Sequence, residues 1–228
     1  MFFAESEDYK KQVVSVRRKL RRVAKNKITF IGETQMKENT HSLTTLALAG
    51  DTGKVVVSKP ESFAGRVDFI AAANAEQTFP LAIFTPKERQ KYGCCGITKA
   101  MFNDFLETKL APAICDLDEE DLLIVIDRAR VHNVKEIDAI LDNNGCDNVK
   151  EIILLPRETA KHVSPLDNAL FHDFKQGVRE RLKNKEITFN KIKAAARREW
   201  GDFDSAALQA HYRHCRLYSR QSLSSDLD

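Results

Sequence analysis

The chain has 228 residues, 43% of them hydrophobic and 30% charged, which is enough to bury a core and excludes a disordered chain. No apolar run approaches the roughly 20 residues that cross a bilayer, and the start, MFFAESEDYKK, has acids where a signal peptide needs a basic and then an apolar stretch. A membrane or secreted protein is therefore not expected. The five cysteines are odd in number and lack C-x-x-C spacing, which argues against a disulfide framework or a zinc module and for a reducing compartment.

The net charge is only +3, but it is unevenly spread. Residues 1–27 hold nine Lys/Arg against three acids, and residues 175–220 hold twelve against five. Residues 111–150 hold four against ten. Basic ends can bind phosphate backbones, or they can be solvated helix faces.

In chain order, residues 9–25 read as a helix with Val13, Val16, Leu20 and Val23 on one face and RRKLRR around it. KITFIGE (27–33) is β-rich. LTTLALAG and KVVVS flank Asp51-Thr52-Gly53 as a hairpin, and RVDFIAAANA and FPLAIF form another. Residues 98–110 return to helix, with Phe102, Phe105, Leu106 and Leu110 on one side. DLLIVI (121–126) is a continuous apolar run, as expected of a strand buried on both faces. A helix follows over Val134, Ile137, Ile140 and Leu141, ended by Asn143-Asn144-Gly145. EIILLP is a second buried strand, stopped by Pro156. Ser164-Pro165-Leu166-Asp167 opens a long helix with Leu170, Phe171, Phe174, Val178 and Leu182 inward, and two more helices cover residues 190–199 and 205–218. Trp200 is expected to pack this end onto the rest, and the last residues, SLSSDLD, to fray. The order predicts an α/β fold with a mixed sheet, antiparallel hairpins plus parallel strands, flanked by helices. The ribonuclease-H architecture has this order.

Several motifs invite chemistry. GDTGK (50–54) lacks the first glycine of a phosphate loop, because that position is Leu48, and reads as a turn. Asp127 falls at the carboxyl end of the apolar strand, where open α/β sheets place their ligands, although it could equally cap the next helix. Asp167 stands in a capping-box pattern behind Ser164 and Pro165, yet a second acid beside the end of a second strand also suits a two-metal phosphoryl-transfer site. His132 reads as a local hydrogen-bonding residue or a helper of that site. His211 and Cys215, four apart on a helix, form only a partial ligand set.

A family resemblance joins these pieces. Residues 121–175 resemble the catalytic half of DDE transposases of the mariner/pogo superfamily. Asp127-Arg128-Ala129-Arg130-Val131-His132 is similar to the D-N-A-x-x-H segment of that family. Leu154-Leu155-Pro156-Arg157-Glu158-Thr159, then Ser164-Pro165-Leu166-Asp167 and Phe171, resemble its L-L-P-P-x-T and Q-P-L-D-x-x-x-F segments. Val67–Phe84 and Gly96–Leu106 resemble its central hairpin and following helix, so the resemblance covers roughly residues 10–185.

The resemblance implies a ribonuclease-H-like domain that cuts DNA and joins it to a target with Mg²⁺ or Mn²⁺. Asp127 and Asp167 then match the second and third catalytic acids and the metal ligands. The first acid, expected in a D-E-T motif, is Gly32, followed by Glu33 and Thr34. Glu33 is the nearest substitute, but alternation along a strand turns it to the opposite face. Asp51 and Asp68 are further candidates. Arg128 stands where an Asn is usual. Arg128 and Arg130, with Arg17, Arg18, Arg21 and Arg22 of the first helix, are the candidate nucleic-acid contacts.

The expected organisation is a basic linker helix (1–26), the ribonuclease-H-like domain (27–185), a helical extension (186–220) and a disordered tail (221–228). The helix-turn-helix domains that usually precede this catalytic domain have no counterpart before residue 27, so specific recognition of transposon ends is not expected. DNA is the expected partner, with a homodimer as the expected assembly and no small-molecule cofactor. RRKLRR and the implied substrate point to the nucleus, with the cytoplasm as the alternative. Two functions stay open: a metal-dependent DNA-cleaving and strand-transferring enzyme, or a non-catalytic nucleic-acid-binding or interaction protein co-opted from a transposon.

Overall fold

The structure is a computed structural model and describes residues 7–37, 65–183 and 185–218. Five strands form one sheet in the order β3-β2-β1-β4-β5. They are β1 (Ile28–Lys37), β2 (Arg66–Ala73), β3 (Ala82–Phe84), β4 (Leu122–Ile126) and β5 (Val149–Leu154). β1 pairs antiparallel with β2 and parallel with β4. β2–β3 is antiparallel and β4–β5 parallel, so the sheet is mixed as the sequence predicts.

β4 is buried at all five positions because both of its faces are covered. On one face, Phe30, Leu123 and Val125 meet α1 (Glu7–Arg21), α7 (Phe171–Leu182), α8 (Phe189–Gly201) and α9 (Ser205–His214). On the other, Ile31, Ile124 and Ile126 meet α3 (Lys99–Phe105) and α5 (Val134–Asn143) through Phe102, Phe105, Ile137 and Leu141. Each such side chain contributes about 1.5–3 kcal/mol on full burial. The C-terminal helices are tied in by buried polar contacts. Trp200 Nε1 donates to Phe79 O at 2.9 Å, and Tyr212 Oη donates to Ile28 O at 2.7 Å.

Four expectations change. β5 is an edge strand, and only Ile153 is buried while Lys150 and Glu151 face solvent, so it is not buried on both faces. The helix from residue 98 continues through a π-helical turn, Leu106–Leu110, into α4 (Ala111–Cys115). A short helix, α2 (Pro86–Lys91), follows β3, started by a capping box in which Thr85 and Glu88 bond reciprocally. Cys115 and Cys146 form a disulfide across 31 residues, with Cα atoms 5.0 Å apart. The end of α4 and the turn after α5 bring them together, which no sequence spacing reveals. The hairpin predicted around Asp51 and the frayed tail lie outside the described residues.

Candidate catalytic cleft

Parallel strands β1, β4 and β5 send their chains out at one end of the sheet, the end where open α/β sheets gather ligands. Asp127 is the first residue past β4. The β1–β4 register ends at Ile31–Ile126, which places Gly32 and Asp127 side by side one step further on. A Cβ at Gly32 would meet Phe171 Cε2 at 3.2 Å and Leu166 Cδ1 at 3.4 Å. Position 32 therefore faces the helical segment that carries Asp167. Asp167 enters through a π-helical turn, Leu166–Leu170, that precedes α7, and its backbone N–H donates to Ser164 Oγ at 3.3 Å.

Asp127 and Asp167 share one cleft of about 640 Å³. Arg128, Arg130, Arg157 and Lys161 line the same space. None of these four makes a side-chain ion pair or hydrogen bond among the described residues. Lys161 only lies over the Tyr9 ring, at 5.7 Å. Asp167 is open to solvent at the cleft but hemmed in by its walls. That crowding pushes its carboxyl up to about 6. The Ser164 hydroxyl beside the carboxyl opposes the rise, the charges of Asp127 and Glu33 add to it, and His132 opposes it.

Glu33 starts from the opposite face of β1, as alternation requires, and does not line the cleft. Its Oε1 lies 2.8 Å from His132 Nε2. His132 Nδ1 lies 2.8 Å from Asp127 Oδ1 and 3.0 Å from the Asp127 carbonyl. The imidazole is buried and packs on Phe102 with ring centroids 4.4 Å apart. Burial alone would lower its pKa, but the bonds to Asp127 and Glu33 outweigh it and raise it to about 10. The two carboxylates that flank His132 thus favour its imidazolium form. Ala129 N–H also donates to Asp127 Oδ1, at 3.1 Å, so Oδ2 keeps no hydrogen bond among the described residues.

Ligand atoms of Glu33, Asp127 and His132 all lie within 4.8 Å of one another, the single such group of three among the described residues. His211 and Cys215 do not join a cluster of this kind: His211 sits 3.4 Å from Asp173, and burial pushes the Cys215 thiol up to about 12. Asp68 is buried between Arg66, at 2.9 Å, and Arg89, so it is consumed as a structural ion pair. Asp51 lies outside the described residues.

The predicted basic contacts divide. Arg128 and Arg130 line the cleft. Arg17 is occupied, with Nε donating to Cys215 O at 2.9 Å and Nη2 to His162 O at 2.8 Å. Arg21 Nε donates to Arg216 O, while Arg18 and Arg22 point to solvent. The residues missed from sequence are Arg157 and Lys161. Arg157 follows β5 and Pro156 much as Arg128 follows β4, and that repetition at two adjacent strand ends was the available signal.

A divalent cation fits this cleft in part. Asp127 and Asp167 supply hard oxygen donors, and Asp167, its carboxyl pushed up first by burial and then by the charges of Asp127 and Glu33, would gain from a cation. A two-cation centre needs more convergent carboxylates than these two, and the position beside them is Gly32.

The sheet order and helix placement define a ribonuclease-H-like fold, and solved structures of that fold superpose on it. A Mos1 mariner paired-end complex with Mn matches with a TM-score of 0.67 at 14% identity, covering 96% of this chain and 61% of the other. A pre-cleavage Mos1 transpososome gives 0.68 at 12%, covering 96% and 61%. The catalytic domain of Mos1 mariner transposase gives 0.60 at 11%, covering 95% and 89%. The chain thus spans about three fifths of the longer Mos1 chains it matches. Curated protein sequences give no match. Residues 86–206 match the DDE superfamily endonuclease family, and the chain belongs to it. That match holds Asp127 and Asp167 and begins downstream of Gly32.

Proposed function

We propose that this chain is a transposase-derived DDE domain that binds DNA in the cleft between β4, β5 and α7 and has lost DNA cleavage. The observation that carries the proposal is the shared cleft of Asp127 and Asp167, with Gly32 presenting no carboxylate toward them. Ancestrally, such a site performs metal-dependent DNA cleavage and strand transfer. Asp127 and Asp167 are the residues that would hold Mg²⁺ or Mn²⁺. When bound, such a cation supplies positive charge beside a scissile phosphodiester. His132 fixes the Asp127 carboxylate through Oδ1, and Ser164 does the same for the backbone of Asp167. Arg128 and Arg130 meet DNA phosphates, and the exposed Arg18 and Arg22 extend the basic surface.

Further elements of the reading are a nuclear location and a homodimer, which follow from a DNA substrate and from the transposase likeness. A second reading keeps the enzyme active, with Glu33 serving as the third acid once it leaves His132. The closeness of its carboxylate to Asp127 favours it.

Supercoiled-plasmid nicking in Mn²⁺ separates the two, with wild type, Gly32→Asp, Asp127→Ala and Glu33→Gln compared. The proposal expects nicking from Gly32→Asp alone. Nicking by wild type that Asp127→Ala and Glu33→Gln both abolish overturns it in favour of the second reading. If no variant cuts, the assignment of Asp127 as an ancestral ligand fails.

A further inference from the structure

Charge in the cleft has an unusual balance for a site descended from a metal centre. Four side chains bring positive charge: Arg128, Arg130, Arg157 and Lys161. Three acids line the same space, Asp127, Glu158 and Asp167, and none of them is paired with any of the four cations. Elsewhere the chain pairs its charges readily, as in Lys99–Glu136, Arg181–Glu199 and Lys193–Glu88. Asp127 is already bonded to His132. The cations are therefore in excess, and none is spent on an acid, Lys161 having only its contact with the Tyr9 ring.

The wall that carries two of them is held in place. Glu158 adopts a left-handed backbone (φ 63), a conformation that costs a non-glycine residue about 1 kcal/mol. Its carbonyl accepts a hydrogen bond from Tyr9 Oη at 3.0 Å, and Arg17 of the same helix holds the carbonyl of His162. Helix α1 thus braces the segment from Arg157 to His162 from outside. The bend at Glu158 lets Arg157 and Lys161, on either side of it, line one cleft with Arg128 and Arg130.

We propose that the cleft is a metal-independent site for DNA backbone phosphates, in which Arg128 and Arg157 occupy the electrostatic role of divalent cations. This rests on the DNA-binding reading above and adds that binding needs no metal. Guanidinium groups suit the task, because their planar fork matches two phosphate oxygens and stays charged at any working pH. Gly32 helps by withholding a negative charge from the approaching phosphate.

The test is fluorescence anisotropy with a labelled 20-base-pair duplex and the full chain, in EDTA and in Mg²⁺, across a range of salt. Binding in EDTA is expected to be at least as tight as in Mg²⁺. The variant Arg128→Gln/Arg157→Gln should bind at least tenfold more weakly. Its slope of log K against log salt should be shallower by about 1.8, since each neutralised phosphate contributes about 0.9. Arg128→Lys/Arg157→Lys keeps both charges and should keep the slope, and circular dichroism checks that every variant is folded.

Binding that appears only with Mg²⁺ or Mn²⁺ overturns the inference and leaves the DNA-binding reading standing. An unchanged affinity and slope in the Gln variant also overturns it and assigns binding to α1. Absence of binding under both conditions sinks both.

Discussion

Gly32→Asp is expected to make the fold less stable without metal and more responsive to Mn²⁺. Its new Cβ would lie 3.2 Å from Phe171 Cε2 and 3.4 Å from Leu166 Cδ1, so both side chains must give by a few tenths of an ångström. Phe171 and Leu166 are buried, 5% and 1% exposed, and such overpacking costs about 1–3 kcal/mol. Removing a strand glycine returns about 0.5–1 kcal/mol through the unfolded chain. A net loss of about 1 kcal/mol lowers Tm by about 2–4 °C for a chain of this size, and the added charge beside Asp127 and Asp167 deepens it. With Mn²⁺ at a hundred times its Kd, the completed site gains about 2.7 kcal/mol, so Tm should rise by about 5–10 °C. Wild type should gain much less. Gly32→Asn carries the same steric load without the charge and should show the loss but not the recovery. Thermal melts of the three proteins in EDTA and in Mn²⁺ decide the matter. Equal Mn²⁺ shifts in wild type and Gly32→Asp refute the placement of position 32 at the cleft.

Three other outcomes are expected. His132 has its folded pKa raised to about 10 from an ordinary 6.5, so its stabilising contribution is complete below about pH 6.5 and disappears as pH rises through 10. Urea unfolding of His132→Gln should therefore differ most from wild type at pH 6 and least above pH 10; a gap that stays constant with pH would mean that the imidazole is neutral. Tyr212→Phe should cost about 1–2 kcal/mol in urea unfolding, because its buried hydroxyl serves the carbonyls of Ile28 and Ala73, at 2.7 and 3.2 Å. Arg17→Ala should lower Tm while leaving the salt slope of DNA binding unchanged, since its two carbonyl bonds already commit the guanidinium; Arg18→Ala/Arg22→Ala should leave Tm unchanged and make that slope shallower, and anisotropy beside melting curves tells the two apart.

What the sequence disclosed depended on how local the determining interaction is. LLIVI reads as a strand covered on both faces because its apolar run is unbroken, and Asp127 follows from where it stops. The inward face of α7 is legible because Phe171, Phe174, Val178 and Leu182 repeat at helical spacing, and all four are buried. β5 misled because EIILL is apolar enough for a central strand, while its place at the sheet edge is set by topology alone. α2 was missed because its start depends on one reciprocal bond pair between Thr85 and Glu88 in an otherwise charged stretch. The link from Glu33 through His132 to Asp127 joins residues 99 positions apart and needs the β1–β4 register, which no local pattern encodes.

Three features of the cleft act in one electrostatic direction. Gly32 leaves out a carboxylate, and its side of the strand is sealed by the edge of Phe171. His132 is held against Asp127 and Glu33, which favour its positively charged form. Arg128 and Arg157 add cations at the ends of two adjacent parallel strands. A centre that gathers metal ions needs an excess of convergent negative charge, and each of these features reduces that excess. A site that holds a phosphodiester needs the opposite balance, and each of them supplies it. Restoring Asp at position 32 reverses one of the three. The same substitution should therefore weaken DNA binding in EDTA while strengthening Mn²⁺ binding, because both ligands answer to the one local field.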